Sequence, residues 1–137
     1  MGDYCYLGAL DSQEYVKFAR TTLDATARKA GRKPREVGLS CNLMCSIAKN
    51  AQTAKKLVKS TLAFYCSLYY YSPVLKISGL TEEAEEVKRA CHAGNPKKAS
   101  GLVTDRLIDT LTLTGSPSEC RSKIEDYGGI KQKNISH

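Results

Sequence analysis

From Val103 to Tyr127 the chain reads V-T-D-R-L-I-D-T-L-T-L-T-G-S-P-S-E-C-R-S-K-I-E-D-Y, and this stretch decides the fold. Leu102, Val103, Leu107, Ile108, Leu111 and Leu113 make an apolar stripe at near-helical spacing. Gly115 is expected to end it, because glycine takes the left-handed conformation that a helix C-terminus favours. A second helix is predicted to start at once. Ser116 suits the N-cap, Pro117 suits the first helical position, where its missing N–H had no partner anyway, and Glu119 completes a capping box. Two short helices joined by a capped corner are therefore expected.

Ahead of this corner the chain alternates β-prone and helical stretches. Asp3 to Leu7 is a short β-prone run, followed by the loop Gly8-Ala9-Leu10-Asp11-Ser12. Asp11 or Ser12 can cap the next helix, which carries Tyr15, Phe18, Ala19, Leu23 and Ala27 towards Gly31. A strand, a glycine-containing loop and a helix N-terminus form a geometry that receives anions, and any strand-to-helix connection needs the same parts. Pro34 ends the turn after Gly31. Val37 to Ile47 reads as one strand, apolar or small on both faces, as a parallel strand covered on both sides would be.

Asn50 or Lys49 then opens a long helix, with Ala54, Leu57, Val58, Thr61, Leu62, Tyr65 and Leu68 at helical spacing, ending at Tyr69-Tyr70-Tyr71-Ser72-Pro73. The tyrosine run can wall a cofactor or substrate, or form the amphipathic rim of a helix end; the rim is the favoured reading. Thr81 to Ala90 is another helix, with an acidic first turn and a basic last turn that both suit its dipole. Gly94-Asn95-Pro96 closes it, and Lys97 to Gly101 leads into the corner.

At 137 residues the chain makes about one domain with a single core. Hydrophobic residues make up 42% and mean hydropathy is −0.37, values of an ordinary globular protein. No apolar run approaches the roughly 20 residues that cross a bilayer, and the N-terminus has no signal-peptide pattern, so a cytoplasmic location away from membranes is expected. The six cysteines are irregularly spaced and read as reduced thiols. Only Cys41 and Cys45 lie close together, with no second pair and with His92 and His137 distant, so no metal site is expected.

The net charge of +7 permits an anionic partner. Its carriers, such as Arg28, Lys29, Arg32, Lys33 and Arg35, gather near a helix end, where cations also favour the dipole. Basic and aromatic residues do not alternate as a stacking platform requires, and nucleic acid is not an expected partner.

The pattern from Asp105 to Tyr127, with L-I-D-x-L-x-L-x-G-S-P-S-E-C at its centre, resembles the C-terminal end of the luciferase-like flavin and deazaflavin oxidoreductases. Within them it is most similar to the coenzyme F420-dependent methylenetetrahydromethanopterin reductases. The blocks G-A-L-D-S, E-Y-V-K-F-A-R, G-L-T-E-E and H-A-G-N-P-K-K-A fall in the family's order, so the likeness runs from about Asp3 to Ile130. It implies an α/β fold: the C-terminal portion of a (β/α)8 TIM barrel, mostly helical, with two or three parallel strands and a helical insertion, residues 1–137 forming a single incomplete barrel domain.

The resemblance further implies an oxidoreductase that transfers hydride to or from a pterin-type or other small organic substrate, using coenzyme F420 or, alternatively, FMN. The positions that carry over as cofactor-binding are Leu7, Gly8, Ala9 and Asn42, near the cofactor's phosphate-bearing tail. Leu7 and Ala9 stand where the reductases tend to have Asn and Ser. No catalytic acid or base is identifiable, and the acidic residues fall on helix termini.

Residues contributed by the family's earlier strands, about five of the eight, have no counterpart here. The polar end from Gly129 to His137 is read as replacing an apolar eighth strand. Two or three strands cannot close a barrel. A truncated product, a half-barrel completed by another chain, or a non-catalytic binding or oligomerisation module is expected, inactive when alone, with no bound cofactor as one of the outcomes. Open edges on the first strand and on Val37 to Ile47 predict self-association or a partner chain.

Overall fold

Two pairs of short parallel strands give the chain its α/β character. The computed structural model describes residues 4–8 and 10–132. Strand β1 (Tyr4–Tyr6) pairs in parallel with β2 (Gly38–Ser40), with Tyr4 opposite Gly38 and Tyr6 opposite Ser40. Strand β3 (Met44–Ile47) pairs in parallel with β4 (Thr112–Gly115), with Met44 opposite Thr112 and Ile47 opposite Gly115.

The stretch expected to be one strand, Val37 to Ile47, is therefore broken at residues 41–43, and its two halves have different neighbours. The first partner aligns at Gly38 and the second at Met44. Such stagger is what tilted strands in a closing sheet require, since the register must shift from strand to strand.

The corner also differs from its sequence reading. Helix α6 (Asp105–Leu111) stops at Leu111, and Thr112-Leu113-Thr114-Gly115 is β4, so Leu113 belongs to a strand and not to the helical stripe. Thr112 marks the change: its hydroxyl donates to the Ile108 carbonyl at 2.6 Å, terminating the helix, and its backbone enters the ladder with Met44. Gly115 does not cap a helix. It ends β4 at φ +150°, where a side chain is strained, and an added Cβ would collide with the Glu119 side chain.

The cap that follows forms as expected. The Ser116 N–H donates to Glu119 Oε2 at 3.1 Å and the Glu119 N–H to Ser116 Oγ at 3.4 Å, opening α7 (Pro117–Gln132). Because α7 continues through Gln132, the stretch from Gly129 starts inside a helix and does not stand in for a strand. Among the described residues the last strand is β4; residues 133–137 lie outside them.

Helix α1 (Gln13–Lys29) is capped by Ser12, whose Oγ accepts from the Tyr15 N–H at 3.1 Å. On its inner face Arg20 is only 5% exposed. It donates to the Val37 carbonyl at 2.9 Å and to Asp24 Oδ1 at 3.1 Å, and Asp24 also accepts the Arg35 N–H at 3.0 Å. This network ties α1 to the segment entering β2, and it accounts for Arg35 standing at φ +70°.

The helical layer is built on α2 (Ala51–Cys66), capped by Asn50, whose Oδ1 accepts from the Thr53 N–H at 2.9 Å. Around it lie a single turn of 3-10 helix (Tyr69–Tyr71), α3 (Ser72–Ile77), α4 (Thr81–His92), α5 (Pro96–Gly101) and α6. Helix α5, capped by Asn95, forms where the sequence suggests only a connection. Leu62, Leu80, Val87, Leu107, Ile108 and Leu111 are fully buried in one core. A smaller core joins Val16, Leu39 and Tyr127, and so seats α7 against α1.

Cys66 is fully buried in the helical core. Burial pushes its thiol up from 9.0 to about 12; the nearby Cys91 adds to the rise and Lys88 opposes it. The folded state thus holds the proton more tightly than the unfolded chain. Stability from this group is full below pH 9 and is lost as pH rises towards 12. In urea titrations between those values, Cys66→Val is expected to flatten the decline. An unchanged alkaline limb would show that other groups set it.

Candidate functional site at the C-terminal strand ends

In a parallel αβ array the loops leaving the C-terminal ends of the strands carry the chemistry, because they converge on one side of the sheet. Here those are the β1–α1 loop, the 41–43 segment leaving β2, the 48–50 connection leaving β3 and the Gly115–Ser116 turn beside it. The Leu7 N–H donates to the Ser40 carbonyl at 2.8 Å, extending the β1–β2 ladder by one bond. Leu7, Cys41 and Leu43 pack around the same small core. Leu7, Gly8 and the 41–43 break are thus brought to one edge of the sheet.

Of the residues expected to hold a cofactor, Leu7 and Gly8 are half-buried and Asn42 is exposed. Asn42 sits in the break between β2 and β3, not within a strand as expected. Ala9 lies outside the described residues. Gly8 is covered by rings: a Cβ there would lie 3.1 Å from Tyr71 Cε1 and 3.5 Å from Tyr70 Cε1. Tyr70 and Tyr71 meet edge to face, with centroids 5.0 Å apart. The rim reading suits Tyr69 and Tyr70, which are exposed. Tyr71 is buried, and with Tyr70 it walls the β1–α1 loop.

The sequence offers Asp11 and Ser12 as helix caps, but not their burial in this loop. Asp11 and Ser12 are fully buried, and the Ser12 and Ser78 hydroxyls hydrogen-bond, tying the loop to the end of α3. Burial raises the Tyr15 phenol, and Asp11, Tyr70 and Cys5 raise it further. Burial likewise raises Tyr127, helped by Cys41, Asp11 and Glu14. Burial is the larger cause at both phenols, and Asp11 adds to it from between α1 and α7. The G-A-L-D-S string located the loop; nothing in it showed that Tyr127 would come alongside.

The basic loop is partly structural: Arg32 pairs with Glu36 at 3.0 Å, and the Arg35 amide serves Asp24. All six cysteines are free thiols, and among the described residues no group of His, Cys, Asp and Glu could hold a metal. No described helix is long and apolar enough to cross a membrane.

Two parallel strand pairs flanked by helices, with loops at their C-terminal ends, are what a portion of a (β/α)8 barrel wall presents. The chain belongs to the luciferase-like monooxygenase family, whose sequence model matches residues 1–130. It is 32% identical over 106 residues to the 5,10-methylenetetrahydromethanopterin reductase of Methanolobus tindarius, covering 74% of this chain and 32% of that protein. The protein of the same name from Methanopyrus kandleri is 31% identical over 115 residues, covering 80% of this chain and 32% of its own length. The solved coenzyme F420-dependent tetrahydromethanopterin reductase from Methanopyrus kandleri superposes with a TM-score of 0.80 at 24% identity, over 95% of this chain and 37% of that one. The chain spans about a third of the length of the curated relatives it matches.

Proposed function

We propose that this chain supplies the C-terminal wall of an F420-dependent oxidoreductase, with FMN as the alternative cofactor, that transfers hydride to or from a pterin-type or other small organic substrate. The observation that supports the reading is that Leu7 packs with Cys41 and Leu43, the neighbours of Asn42, beyond the β1–β2 ladder of a chain of this family. Residues 7–9 and Asn42 would lie along the cofactor's phosphate-bearing tail, and the bound cofactor would supply the redox chemistry.

The residues fit this role only as one side of a site. The Leu7 N–H is spent on Ser40, and the Ser12 hydroxyl on Tyr15 and Ser78. Gly8 faces tyrosine rings, which leaves the exposed carboxamide of Asn42 as the donor best placed among the described loop residues. A phosphate needs several donors or a cation. The chain is therefore expected to bind cofactor weakly alone and to need the rest of the barrel, in the cytoplasm, where its thiols stay reduced.

The test is a fluorescence titration of F420 and of FMN into the chain alone and into the chain mixed with the N-terminal barrel portion of a family reductase. Binding is expected in the mixture, and at 100 times the dissociation constant it should add about 2.7 kcal/mol of stability. Asn42→Asp, which sets a negative charge at an exposed position, should weaken it by about tenfold, roughly 1.4 kcal/mol. Silence with both cofactors in the mixture would favour the non-catalytic binding module instead.

A further inference from the structure

We infer that the groove between α4 and α5 is a binding site for a small zwitterion with an apolar body, an amino acid or a short peptide, set apart from the strand-end loops. Arg89 and Lys98 receive its carboxylate, Glu86 its ammonium group, and an apolar floor its side chain.

The groove has a volume of about 600 Å³, which is the size of a small-molecule site. Its floor is formed by Ala90, which is buried, and Leu102, which is half-buried, with Ala93 exposed at the rim. The polar lining is Glu86 and Arg89 from α4, and Asn95 and Lys98 at the start of α5. Asn95 Oδ1 accepts the Lys98 N–H at 3.1 Å. That cap holds the carboxamide in place, and its nitrogen has no partner among the described residues.

The charges choose the ligand. Where opposite charges come within reach elsewhere on this helical layer they pair, Glu83 with Arg106 and Asp105 with Lys55. In the groove they do not. Glu86, Arg89 and Lys98 make no ion pair among the described residues, although Glu86 and Arg89 stand one helical turn apart, a spacing at which such pairs form. Both signs therefore face one cavity without neutralising each other. A simple anion would meet Glu86 at like charge, and an uncharged apolar molecule would cover charges it cannot pair. A zwitterion satisfies both signs and the floor together, and Arg89 can grip its carboxylate through two parallel hydrogen bonds. The lining charges are exposed and screened by salt, so the affinity is modest and falls as salt rises.

The test titrates the isotope-labelled full chain with L-leucine and with L-leucyl-L-leucine and follows the amide resonances by NMR. At least one of the two should give saturable shifts confined to α4 and α5 around Ala90, Ala93 and Leu102. N-acetyl-leucine, which lacks the ammonium group, and leucinamide, which lacks the carboxylate, should bind at least fivefold more weakly. Glu86→Gln should weaken the zwitterion at least fivefold and leave N-acetyl-leucine unchanged, and Arg89→Gln combined with Lys98→Gln should abolish saturation. Unshifted resonances in the rest of each variant show that it still folds. No saturable shift with either probe, shifts centred away from the groove, or equal affinity for all the charge forms would overturn the site. Each of those outcomes leaves the cofactor reading standing, because that reading rests on the strand-end loops.

Discussion

Arg20→Met is expected to lower the unfolding free energy by about 3 kcal/mol, because it removes one partner of a buried charge network and strands the rest. Arg20 is the hub. It holds the Val37 carbonyl, which enters β2, and the Asp24 carboxylate, which in turn holds the Arg35 amide of the intervening loop. Methionine keeps the apolar stem, so the loss reports hydrogen bonds and charge more than volume.

The pH dependence supplies a second reading. Burial by itself would raise the Asp24 pKa, but the Arg20 hydrogen bond, the Arg35 amide and both cationic charges outweigh it and hold it below 3.8. A carboxyl lowered on folding adds stability that is present above the ordinary value and is lost as pH falls through the folded one. Arg20→Met should therefore be less sensitive to acid than the parent between about pH 5 and pH 2. Urea unfolding at pH 7 and pH 3 measures both effects. A loss under about 1 kcal/mol with an unchanged acid limb would mean the network does not bind α1 to β2.

Leu62→Ala is the second large effect, expected to cost roughly 2–5 kcal/mol. Leu62 is fully buried on α2, where the helical layer meets. Truncating it leaves a cavity among Val58, Leu107 and their neighbours that rigid helices cannot collapse to fill. Leu57→Ala is the control, expected within about 0.5 kcal/mol. Sequence periodicity put Leu57 on the buried stripe, yet it is 66% exposed. Equal losses at the two positions would contradict the assigned face of α2.

Local chemistry was legible where a signal sits within a few residues. The Ser116–Pro117–Glu119 cap, the Ser12 and Asn50 caps and the strand–loop–helix order at the start all appear where their residue types place them. Leu111 and Leu113 were not decidable in this way. They fit a helical stripe with Leu107 and Ile108, and they also fit a period-two strand, since a short apolar run satisfies both. Pairing with Met44–Ile47, some 70 residues away in sequence, selected the strand for Leu113, while Leu111 stayed the last residue of α6. The candidate site divides similarly: Gly8 stands in a recognisable loop, while its tyrosine cover and the approach of Tyr127 are long-range packing.

By itself the sequence determined the caps, the helical stripes, the family and the C-terminal position within a barrel, because each rests on residues near one another along the chain. Only the tertiary structure decided that Val37 to Ile47 divides between two neighbours, that Thr112–Gly115 is the last strand, and that α5 is a helix of its own. The reason is that a β-ladder draws its hydrogen bonds from another segment, so what a short apolar stretch becomes depends on what lies beside it.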